Sequence, residues 1–152
     1  MRTSLSILLS AAAIAGCAPL GAKDAVTEPF VPVYTVNFPD PFVIPQDGRF
    51  LAYATNAEGD RANVQMATSE DLVTWAPLER DGKLHDAMPV LPRWAERGWT
   101  WAPEVLKLEN RYLLFFTARE TASGRQCTGV AESADPLGPF TSEATEPLVC
   151  QR

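Results

Sequence analysis

The chemistry-bearing side chains of this chain are carboxylates, and one of them has unusual neighbours. Asp40 lies between two prolines in Phe38-Pro39-Asp40-Pro41-Phe42. Each ring fixes its own φ and biases the residue before it toward extended backbone. At the leading end of a strand, that geometry aims a carboxylate away from the sheet and toward the centre of the architecture. An Asp in such a position also caps turns through its own side chain, and both roles stay open at this level. Other chemistries lack their residues: there is no nucleophilic Ser elbow, no Cys–His pair and no glycine-rich phosphate loop. His85, the single His, stands beside Asp86 in a polar segment and reads as a solvated loop residue rather than a catalyst. Two Cys and one distant His do not supply four ligands at metal spacing, so neither a metal nor another cofactor is expected.

The segment around Asp40 is the start of a repeat. Phe38-Pro39-Asp40-Pro41-Phe42-Val43 returns in altered form as Trp101-Ala102-Pro103-Glu104-Val105. Arg49-Phe50-Leu51-Ala52-Tyr53 lies over Arg111-Tyr112-Leu113-Leu114-Phe115, Ala67-Thr68-Ser69-Glu70-Asp71 over Ala131-Glu132-Ser133-Ala134-Asp135, and Trp75 over Phe140. Each copy runs from an X-Pro entry through a short apolar segment, a polar turn (Gln46-Asp47-Gly48 or Glu109-Asn110), a second apolar segment, a loop and a third strand. Repeats of this length mark stacked or radial architectures whose units cannot bury their faces alone. Strand, tight turn, strand, loop, strand predicts an all-β chain built from the four-stranded antiparallel blades of a β-propeller, the last strand of each blade being the least defined. Two blades do not close a ring.

The chain has 152 residues, 46% of them apolar, with 13 Pro and a formal charge of −6. Binding a phosphate backbone needs clustered Lys and Arg, which are absent, so no nucleic-acid partner is expected. Arg2 followed by the apolar run Leu5 to Gly16 has the form of a secretory signal, too short for a membrane-spanning helix. Ile14-Ala15-Gly16-Cys17 resembles a bacterial lipobox, in which Cys17 is acylated and becomes the new N-terminus; an ordinary signal with an incidental Cys17 is the alternative. Acyl chains on Cys17 would anchor the mature chain to a membrane. Ala18 lacks the Asp that resembles an inner-membrane retention signal, which points to the outer membrane. The expected organisation is a signal over 1–16, a tether over 17–30 and a partial propeller over 31–152. Cys127 and Cys150 remain as an even pair in an oxidising compartment, expected to form a disulfide, with two buried thiols as the alternative.

Four motifs in order carry a resemblance. Phe38-Pro39-Asp40-Pro41-Phe42, Ser69-Glu70-Asp71-Leu72-Val73-Thr74-Trp75, Trp99-Thr100-Trp101-Ala102-Pro103-Glu104-Val105 and Pro136-Leu137-Gly138-Pro139-Phe140 look like successive motifs of glycoside hydrolase family 43. The resemblance covers roughly residue 30 to the end. It implies about two blades of a five-bladed propeller and hydrolysis, with inversion, of xylose- or arabinose-containing plant cell-wall glycans. It assigns Asp40 as the general base that activates water, Phe38 and Trp101 as walls of the sugar subsite, and Glu104 as a residue beside that subsite with a structural or sugar-contacting role. An inverting site needs a second carboxyl as general acid, roughly 6.5–9.5 Å from the first so that water fits between them. In the family that acid and a third carboxylate come from later blades, so the catalytic set expected here is incomplete.

Two function classes follow. One is the N-terminal portion of a secreted inverting glycosidase, inactive unless the remaining blades are supplied. The other is a carbohydrate-binding or scaffold lipoprotein built from two blades, self-associating to cover its open faces.

Overall fold

The structure is a computed structural model that describes residues 31–152. The signal, Cys17 and the whole of the tether lie outside the described residues. Pro32–Arg152 forms one compact unit of strands and turns, with one short 3₁₀ segment, Glu58–Asp60, among the described residues.

Strands β1 (Phe42–Gln46), β2 (Arg49–Ala54), β3 (Gln65–Ser69) and β4 (Trp75–Pro77) form an antiparallel sheet in chain order. A two-stranded ribbon follows, β5 (Glu79–Arg80) with β6 (Lys83–Leu84). The second sheet contains β7 (Ala95–Leu108), β8 (Arg111–Glu120), β9 (Gln126–Ser133) and β10 (Val149–Cys150), also in chain order. These are two four-stranded propeller blades, as the repeat predicts.

The turns explain the register. Asp47 and Gly48 both take positive φ, 49° and 78°, which suits a two-residue hairpin whose twist matches the strands it joins. Gln46 and Arg49 therefore pair directly, and Phe42 meets Tyr53. Between β3 and β4 the Asp71 carboxylate takes over: its Oδ1 accepts the backbone N–H groups of Val73 (2.8 Å) and Thr74 (2.6 Å). The Ser69-to-Trp75 motif is thus a side-chain-capped turn that delivers Trp75 opposite Ser69. Those backbone bonds, Thr74 first and Val73 next, hold the Asp71 carboxyl down at about 2.

Alternation along each strand decides what is buried. On β8, Tyr112, Leu114, Phe116 and Ala118 are buried while Leu113, Phe115 and Thr117 between them are half-exposed. The buried set joins Leu51, Tyr53 and Met66 of the first blade in one core, filled by Trp94, Met88 and Phe140. Trp94 stacks on Phe116 at 5.7 Å and 8°. Gly129 sits beneath both rings, where a Cβ would lie 2.5 Å from Trp94 Cζ2.

Three details differ from the sequence expectation. His85 is half-buried, and its Nε2 lies 2.6 Å from the Leu137 carbonyl, because the next residue, Asp86, pins the segment to the first blade. Asp86 accepts the backbone N–H groups of Asn63, Val64 and Met88 at 2.8–3.1 Å. Phe140, which aligns with strand residue Trp75, is a fully buried core residue outside any strand. The bridge Glu132–Thr141 beside it marks the repeat position, and the fourth strand forms later, at Val149–Cys150. The third difference concerns the backbone of Asp40 and belongs to the site.

Candidate functional site

Asp40 lies before the start of β1, with Pro41 between, at the end of the first blade opposite the Asp47-Gly48 hairpin. Its φ is 53°, the left-handed region, and not the extended backbone that Pro41 favours. The equivalent residue of the second copy, Ala102 before Pro103, has φ 47°. Both copies therefore carry the same disfavoured backbone at this position, just before β1 in the first copy and within β7, at its register shift, in the second. For a residue other than glycine this costs about 1–2 kcal/mol, a kind of strain that collects at functional sites when surrounding bonds hold it.

The holding bonds meet at Thr55. Its hydroxyl donates to Asp40 Oδ2 at 2.7 Å and accepts the Ala102 N–H at 3.1 Å. A hydroxyl has one proton, so accepting from Ala102 leaves that proton for Asp40. The Thr55 N–H donates to the Pro39 carbonyl (3.2 Å), while buried Gln65 donates through Nε2 to the carbonyls of Thr55 (2.8 Å) and Asn37 (3.2 Å). The Asn56 N–H reaches the Thr100 carbonyl at 2.9 Å. The two blades are clamped together at the Asp40 end, and the carboxylate is oriented from both.

Trp101 precedes Ala102 and is half-exposed; Phe38 is half-exposed and meets Tyr34 edge-to-face at 5.4 Å. Burial raises the Tyr34 phenol above its ordinary value. A bulge in β7 places Glu104: Trp101 pairs with Thr117 and Glu104 with Phe115, so two residues three apart in sequence occupy the same sheet face. That face is turned away from the core. It carries exposed Leu106 beside Leu113, which pairs with it, and Val130 beside Phe115.

The bonds around Thr55 bring Asp40 and the Trp101-Ala102 step to one rim. Glu104 lies further along β7, exposed on the outer face. Thr55 escaped the sequence reading. It follows β2 directly and aligns with Thr117, which the longer β8 keeps inside the strand, and a Thr recurring at that repeat position is the one signal that could have found it. At the other end of the blades, Gln46, Asp47, Arg49, Tyr112 and Asp135 line a shallow cleft of about 390 Å³.

Cys127 of β9 and Cys150 of β10 are cross-strand partners joined by a disulfide. Glu120 approaches this pair. With both sulfurs in the bridge, the cluster is not a metal site.

The described residues thus form two four-stranded blades with the Asp40 carboxylate at their junction. Residues 30–149 match the profile of Glycosyl hydrolases family 43, and the chain belongs to that family. It is 29% identical over 97 residues to a probable arabinan endo-1,5-alpha-L-arabinosidase B of Aspergillus fumigatus, a match covering 64% of this chain and 24% of the relative. The chain thus spans about a quarter of the length of the curated relatives it matches. Two solved structures from Bacteroides thetaiotaomicron VPI-5482 superpose on it. One is an endo-arabinase (27% identity, TM-score 0.55, 80% of this chain and 38% of that one), the other an endo-1,4-beta-xylanase (28%, 0.57, 74% and 35%).

Proposed function

We propose that this chain forms the base-bearing blades of an inverting glycoside hydrolase acting on arabinose- or xylose-containing polysaccharide. The observation that carries the reading is the Asp40–Thr55–Ala102 bridge, which holds an exposed carboxylate in a strained backbone at the junction of two blades of a family 43 fold. In this role Asp40 is the general base: it takes a proton from a water molecule as that oxygen attacks the anomeric carbon. Phe38 and Trp101 wall the sugar subsite, and Glu104 stands beside it in a structural or sugar-contacting role. The general acid comes from a further part of the family fold, beyond the stretch this chain shares with its relatives.

The lipobox-like Ile14-Ala15-Gly16-Cys17 supports an acylated Cys17 and a site held at the outer membrane, facing extracellular glycan. The apolar outer face of the second blade, with Leu106 and Val149 48% and 62% exposed, supports cover by further blades or by self-association.

Hydrolysis tests the reading. The 152-residue chain is expected to cleave aryl arabinofuranosides and xylosides no faster than buffer. A chain that supplies the rest of the ring should cleave them with inversion, and Asp40→Asn should lower its rate roughly 10²–10⁴-fold. Ring-complete activity indifferent to Asp40→Asn would remove Asp40 from the mechanism.

A further inference from the structure

The second copy of the repeat carries an elaboration that the first lacks. Its first strand, β7, begins at Ala95, eight residues before Pro103, whereas β1 begins directly after Pro41. The extra length pairs with the far end of β8, Ala95 opposite Glu120 and Thr100 opposite Ala118, with a register shift between them. Gly98 takes φ 80° within that shift. The extension leads directly into Trp101-Ala102, so it borders the Asp40 rim.

Trp99 lies on this extension and is 42% exposed. Its ring is not free to wander. The Arg119 guanidinium stacks over it at 4.6 Å, and Trp101 meets it edge-to-face at 6.1 Å and 68°. Arg119 is in turn fixed by an ion pair with Glu96, 2.8 Å from Nε to Oε2.

We propose that Trp99 and Arg119 form a second saccharide platform that binds the pentosyl residue neighbouring the one at Asp40. The inference rests on the glycosidase reading above and extends it from one sugar to a chain of them. A pyranose or furanose presents C–H groups on its face and hydroxyls at its edge. Arg119 covers one face of the Trp99 indole; the exposed remainder of the ring, held in one orientation, suits the first, since it is apolar and little ordering is left to do on binding. A planar guanidinium with several N–H donors suits the second. The Glu96 partner decides the charge class: it already offsets Arg119, so the platform favours a neutral pentose over a uronic acid.

The test is an NMR titration of the 152-residue chain, following the Trp indole N–H signals and the Thr55 and Ala102 amides. The ligands are arabinotriose, xylotriose, the matching monosaccharides and galacturonic acid trimer. The neutral trisaccharides are expected to shift the Trp99 and Trp101 indoles together. Trp99→Ala should weaken trisaccharide binding roughly three- to tenfold, as loss of one aromatic contact does, with monosaccharide binding unchanged. Trp99→Phe should restore most of it, and Trp75→Ala should have no effect. Trisaccharide binding that shifts the Asp40 rim but is indifferent to Trp99→Ala would overturn the platform and leave the glycosidase reading standing. Tighter binding of the uronate trimer would overturn the neutral-sugar assignment. Shifts at neither Trp99 nor the Asp40 rim would overturn both.

Discussion

The Cys127–Cys150 bridge closes a loop over a sequence separation of 23, which sets its expected contribution to stability. In the chain-entropy treatment, a loop of that size restricts the unfolded ensemble by about 3 kcal/mol at 25 °C. Replacing half-buried Cys150 by Ser should therefore destabilise the domain by about 2–4 kcal/mol. For a domain of this size each kcal/mol lowers Tm by roughly 3–5 °C, so a fall of about 10 °C is expected. Urea unfolding followed by tryptophan fluorescence, with and without reductant, gives the assay. Reductant should shift the parent to the midpoint of Cys150→Ser and leave that variant unmoved. A parent whose midpoint ignores reductant while its thiols become alkylatable would refute the reasoning, since the closed loop would then contribute nothing.

Three further outcomes are expected. The Asp71 carboxyl is depressed to about 2 by the N–H groups of Thr74 and Val73; its contribution to the β3–β4 turn is full above the ordinary carboxylate range and lost as pH falls from about 4 through 2. Protection of the Val73 and Thr74 amides, taken as exchange relative to the intrinsic rate at each pH, should fall across that window and should already be lost in Asp71→Ala at neutral pH. Gly129→Ala forces a methyl against the stacked rings of Trp94 and Phe116 and should cost about 1–3 kcal/mol, read as a lower urea midpoint; an unchanged midpoint would mean the stack yields freely. Labelled fatty acid supplied to cells should appear on the wild-type chain and not on Cys17→Ser, and a label-free soluble product would sink the lipid-anchor proposal.

Much of the fold could be read because local chemistry and long-range pairing agree. Asp47-Gly48 demands a tight hairpin, and the alternation Tyr112, Leu114, Phe116 demands one buried face. The fourth strand of the second blade was illegible for a physical reason: Val149–Cys150 is two residues long and held mainly by its partner and the disulfide, so no periodicity announces it. His85 misled because polar neighbours suggest solvent, whereas Asp86 uses its polarity to satisfy three backbone N–H groups and draws the segment inward. Asp40 was found, yet its backbone was not. Prolines on both sides favour extended geometry, and only contacts distant in sequence, from Thr55 and through it Ala102, hold the residue in the left-handed region.

The most direct test of the central claim is where a sugar settles. A crystal of this chain grown with arabinotriose or xylotriose should show a pentose ring at the rim formed by Asp40 and Trp101, with a hydroxyl or a water held by the Asp40 carboxylate beside Thr55. A saccharide seated instead in the cleft of Gln46, Arg49 and Tyr112 at the opposite end of the blades, with the Asp40 rim empty, would contradict the account.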